Sequence, residues 1–105
     1  MAESILIVDD EVSILNSLSP ILEDEGYQVM VAKSGEEALR IIASEPPDLL
    51  LLDIWMPGMD GLETLKRARA RMPRLQVMMM SGHGSIETAV KAIKLAFPNL
   101  PVVAG

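Results

Sequence analysis

Cysteine is absent from the 105-residue chain, so disulfides and thiolate metal sites are excluded. Cations are scarce: nine Lys and Arg stand against fifteen Asp and Glu, a formal net charge of −6. A surface built for phosphate backbones or anionic lipid wants clustered basic residues, so neither direct nucleic-acid binding nor membrane association is expected. Long apolar runs are missing too. Nothing approaches the roughly 18 residues of a membrane span, and "MAESILIVDD" lacks the basic-then-apolar pattern of a secretory leader. A cytoplasmic location is the expectation. Internal repeats, low-complexity stretches and linkers are also lacking. What remains is a half-apolar chain of a length suited to one domain with a real core, taken as residues 1–105.

Short apolar runs alternate with segments of helical period. The strand candidates are "ILIV" at 5–8, "YQVMVA" at 27–32, "LLLL" at 49–52 and "LQVMMM" at 75–80. The first and third show no polar alternation, as expected of strands covered on both faces. Residues 12–25 place Ile14, Leu15, Leu18, Ile21 and Leu22 on one helical stripe that closes at Gly26, with a kink expected at Pro20. "SGEE" gives Ser34 and Glu37 capping-box spacing ahead of a helix burying Ala38, Leu39, Ile41 and Ile42. A third helix is read over 62–71, ending before Pro73, and a fourth in "SIETAVKAIKLA". Strand and helix alternate four times, which implies βαβ crossovers and a parallel sheet with helices on both faces.

In such sheets ligands bind beyond the carboxyl ends of the strands. There the chain concentrates its chemistry: Asp9 and Asp10 after "ILIV", Asp53 after "LLLL", Ser81 after "LQVMMM". If the first and third strands are neighbours, three carboxylates converge and disfavour one another's ionisation unless a cation joins them. All-oxygen ligands suit Mg²⁺, or Mn²⁺, the ions that accompany phosphoryl groups, and an aspartate can itself accept a phosphoryl group. Asp53 is the best placed to do so. Each piece also has an ordinary explanation. "DDE" can cap the next helix, and "MPGMDG" is a turn by composition. "LLLLD" resembles the magnesium aspartate of nucleotide hydrolases, but no G-x-x-x-x-G-K-[ST] loop accompanies it. Ser81 can be a loop hydroxyl, His83 a solvated side chain, and Met78 to Met80 core. Their conjunction at successive strand ends favours function.

Taken in order, "LIVDDE", "LLLLDIWMPGMDGLE" and "MMSGHGSIETAVKAIKL" resemble the receiver domain of bacterial two-component response regulators, with the similarity spanning residues 4–95. The last block is most similar to receivers attached to AAA+ activators of the nitrogen-regulator type. The resemblance implies an α/β, flavodoxin-like (CheY-like) three-layer fold with sheet order 2-1-3-4-5. It implies Asp53 as phosphoacceptor, phosphorylated by a sensor histidine kinase. Mg²⁺ would be ligated by Asp10 and Asp53, by Asp9 through water, and by the backbone carbonyl of Trp55. Ser81 would be the switch hydroxyl, with Pro57 and Gly61 shaping the loop after Asp53. The expected role is regulation of transcription through an effector domain in a longer protein, the receiver itself not being an enzyme beyond self-phosphorylation and autodephosphorylation.

The tail departs from that pattern. Residues 96–105 read "AFPNLPVVAG": the expected fifth strand is short or altered, the fifth helix is missing, and Val103 stands near the place of the family's lysine. The expectations are slow phosphorylation and, through uncovered apolar surface, a homodimer. Two other readings compete. One is a non-switching receiver remnant acting by association; the other is a haloacid-dehalogenase-type phosphohydrolase, which wants an acid two positions after its nucleophile, where this chain has Trp55.

Overall fold

The computed structural model describes residues 3–53 and 56–80. These form, in chain order, β1 (Ser4–Val8), α1 (Val12–Asp24), β2 (Gln28–Ala32), α2 (Gly35–Ser44), β3 (Leu49–Asp53), α3 (Gly61–Arg71) and β4 (Gln76–Met80). All neighbouring strands are parallel and the order is β2-β1-β3-β4. Among the described residues this is the doubly wound fold with its 2-1-3-4 order. The expected fourth helix, the altered fifth strand and the rest of the tail at 96–105 lie outside the described residues, as do Trp55, Ser81 and His83.

The uniform leucines of β3 are explained by two-sided burial. Successive side chains point to opposite faces, and Leu49, Leu50, Leu51 and Leu52 are all fully or almost fully buried. Ile5, Ile7, Leu49 and Leu51 pack on one face with Leu15, Leu18 and Leu22 of α1. Leu6, Val8, Leu50 and Leu52 pack on the other with Ala38 and Ile42 of α2 and Ala68 of α3. The sheet is therefore sandwiched, and one strand carries the periodicity of two cores.

The helix ends follow the residues read for them. Gly26 takes φ +97° after α1. The Gly26 N–H donates to Glu23 O at 3.0 Å and the Tyr27 N–H to Leu22 O at 3.1 Å, the paired bonds of a Schellman cap. Ser34 Oγ accepts from Glu37 N at 3.1 Å and starts α2. Helix α1 continues through Pro20. Among the departures from the sequence reading are two strand starts and one helix position, each with a local reason. Tyr27 precedes β2 because its N–H is committed to the α1 cap, and Leu75 precedes β4 because its N–H donates to Met72 O at 3.0 Å. Ile21, expected in the buried stripe, is 38% exposed. At 100° per residue it lies roughly 90° from the centre of the Leu15–Leu18–Leu22 stripe.

Candidate functional site

The register places the acids side by side. Val8 is paired with Leu52, so the next residues, Asp9 and Asp53, are neighbours at the carboxyl edge of the two central strands. The Asp9 N–H donates to Ala32 O at 3.1 Å, carrying the β1 ladder one residue beyond the strand. Asp53 is the last residue of β3 itself rather than the first of the loop. Asp9 and Asp53 are each only 5% exposed, whereas Asp10 is exposed. One carboxylate oxygen from each of the three lies within 4.8 Å of the others. Three of the residues singled out in the sequence thus meet at one point.

Asp9 also does what the ordinary reading of "DDE" proposed. Its Oδ1 accepts the Glu11 N–H at 2.9 Å, fixing the turn into α1, for which Glu11 is the N-cap residue. The two roles pull its acidity in opposite directions. Burial pushes the Asp9 carboxyl up, the Glu11 N–H draws it down, and the charges of Asp53, Asp10 and Glu11 push it up again, leaving it at about 6. Carboxylates held this close are a mutually repelling set with oxygen donors only. Such a set fits a hard divalent cation, Mg²⁺ or Mn²⁺, better than a soft one.

Residues 56–60 lead into α3. Met56 is buried, Gly58 adopts φ +74°, and Asp60 caps α3 by accepting from Glu63 N at 2.9 Å. The sequence reading named Pro57 and Gly61 for this loop; Gly58, Asp60 and the buried Thr64 were overlooked. Asp60 carried a signal, since Asp60 and Glu63 have the capping spacing seen at Ser34 and Glu37. Thr64 carried none.

An acid cluster at the carboxyl edge of a parallel 2-1-3-4 sheet is compatible with phosphoryl chemistry, and comparison with known proteins gives the class. The sequence profile of the response regulator receiver domain matches residues 5–98. The nitrogen assimilation regulatory protein NtrX of Azorhizobium caulinodans is 51% identical over 96 residues, covering 90% of this chain and 21% of that protein. Sporulation initiation phosphotransferase F of Bacillus subtilis is 44% identical over 87 residues, covering 83% of this chain and 70% of that protein. The chemotaxis protein CheY4 of Vibrio cholerae superposes with a TM-score of 0.84 at 25% identity, over 90% of this chain and 98% of that one.

The chain belongs to the response regulator receiver domain family, and within it resembles NtrX-type regulators. It spans about a fifth of the NtrX relative's length. Receiver domains are signalling domains of two-component systems that work with histidine kinases and effector domains. Family membership favours this reading over the phosphohydrolase alternative. Among the described residues no helix is long and apolar enough to cross a membrane.

Proposed function

We propose that this domain receives a phosphoryl group on Asp53 from a sensor histidine kinase and passes the signal on by conformational change to an effector that regulates transcription. The observation that carries the proposal is the convergence of Asp9, Asp10 and Asp53 at the edge of β1 and β3. In the transfer, an Asp53 carboxylate oxygen forms the new O–P bond. The N–P bond of the donor phosphohistidine breaks, and the imidazole keeps the electron pair and takes up a proton. Asp10 and Asp53 are assigned as direct ligands of Mg²⁺, with Asp9 acting through water and Trp55 through its backbone carbonyl. When bound, the ion neutralises the carboxylates and the charge on the transferred group. Asp9 also holds the turn that presents Asp10 and Glu11. Ser81 is assigned as the hydroxyl that responds to the phosphoryl group. Likeness to the transcriptional regulatory protein ZraR of Escherichia coli supports the transcriptional output, and a homodimer is the proposed assembly.

The test is intact-mass measurement after incubation with Mg²⁺ and a small phosphodonor such as acetyl phosphate. One phosphoryl increment is expected in the wild type and none in Asp53→Asn. An unmodified wild type would favour a receiver that acts by association alone, and an increment that survives Asp53→Asn would move the acceptor elsewhere.

A further inference from the structure

Gly35 opens α2 on the face of the sheet opposite α1, where α2 and α3 share one core. Its backbone is outside the positive-φ region, so the path of the chain does not require glycine there. Space does. A Cβ at Gly35 would overlap Thr64 Oγ1 and would lie 3.0 Å from Met59 Sδ and 3.2 Å from Met59 Cγ.

Met59 can bend away; Thr64 cannot. Its side chain is β-branched and wholly buried, and its hydroxyl donates to Asp60 O at 2.9 Å. That bond, together with the Asp60 cap on Glu63 N, anchors Asp60 at the entry to α3. The start of α2 therefore lies against Met59, just ahead of α3, and against Thr64 in the first turn of α3.

We propose that Gly35 is a positioning residue for the acidic site: it lets α2 close against Met59 and Thr64, and this closure fixes residues 56–60 and the start of α3, which follow Asp53 in the chain. The inference rests on the phosphoacceptor reading. Packed interiors transmit displacement rather than absorb it, and a misplacement of about 1 Å at a reacting centre can cost ~10²-fold in rate. Damping along the loop reduces this, so Gly35→Ala is expected to slow phosphoryl incorporation about tenfold and to weaken Mg²⁺ binding. Helix propensity argues the other way, because alanine is the better helix former. The two ideas thus make opposite predictions for one substitution.

The experiment compares the full chain with Gly35→Ala, Thr64→Ala and the double variant, well below their unfolding midpoints. Two quantities are read: the initial rate of phosphoryl incorporation from acetyl phosphate by intact mass, and the Mg²⁺ Kd from Trp55 fluorescence. Expected is a slow, weakly binding Gly35→Ala and a double variant restored to the level of Thr64→Ala, since loss of Oγ1 makes room for the new methyl. If Gly35→Ala does not fold, the double variant is still expected to fold and to match Thr64→Ala. A folded Gly35→Ala with wild-type rate and Kd overturns the proposal, as does a double variant worse than Thr64→Ala by the full Gly35→Ala effect. Absence of phosphoryl incorporation in the wild type would refute the phosphoacceptor reading instead, and the Mg²⁺ Kd would still decide the role of Gly35.

Discussion

Replacing Asp9 by Asn isolates the cost of holding a buried carboxylate among other acids. Burial and the neighbouring charges raise its pKa from 3.8 to about 6, so the folded protein binds this proton more tightly than the unfolded chain does. Below pH 4 both states are protonated and Asp9 makes no difference. Between pH 4 and 6 the unfolded chain releases its proton first, and folding stability falls as pH rises. Above pH 6 the loss is complete. At about 1.4 kcal/mol per pKa unit the shift corresponds to about 3 kcal/mol, which solvent screening at the site mouth trims to a range of about 1–3 kcal/mol. Asn keeps an amide oxygen for the Glu11 N–H, so the turn into α1 survives. In EDTA, Asp9→Asn is therefore expected to match the wild type near pH 4 and to exceed it by about 1–3 kcal/mol at pH 7–8. Urea unfolding of both proteins across that range measures the difference directly. A difference independent of pH, or a less stable variant at pH 8, would refute the reasoning. With Mg²⁺ present the wild type should recover, and its Mg²⁺ affinity should climb with pH up to about 6, as metal and proton compete for one carboxylate.

Gly26→Ala should cost about 1–2 kcal/mol in chemical denaturation; nothing lies within 4 Å of the added methyl, so the penalty is conformational alone. Ser34→Ala removes the bond to Glu37 N and should cost about 1 kcal/mol, while Ser34→Asp should cost much less. Leu51→Ala, in the middle of β3 and wholly buried between Ile7 and Met78 on the neighbouring strands, should cost about 2–5 kcal/mol, read as a shifted urea midpoint.

Much of the fold could be read because its rules are local. Four leucines in a row with an acid at the end mean a strand buried on both sides, and Gly26 after an apolar stripe means a helix end. The site could be read one step later: once β1 and β3 are placed side by side, Asp9, Asp10 and Asp53 must converge. What escaped the sequence depends on contacts between distant residues or on competition for a single N–H. Tyr27 and Leu75 look like strand residues, but their amides are claimed by turns. Thr64 looks like an unremarked helix residue until Gly35, distant in sequence, is found against its hydroxyl. No periodicity encodes that meeting.

The distribution of burial shows how the fold tolerates its site. The apolar side chains of β1 and β3, from Ile5 to Val8 and from Leu49 to Leu52, are essentially shielded from solvent. Each contributes roughly 1.5–3 kcal/mol by removal from water, an upper figure given the compactness of unfolded chains. These same strands lead to Asp9, whose burial raises its pKa and opposes folding, and to Asp53, the last residue of β3. The most completely buried part of the core thus stands directly beneath the acidic cluster. A cation or a proton relieves the acids' repulsion and so favours the folded state. Acids gather at the carboxyl edge and apolar side chains fill the two central strands below it, the pattern expected when an edge is organised for chemistry and the sheet for support.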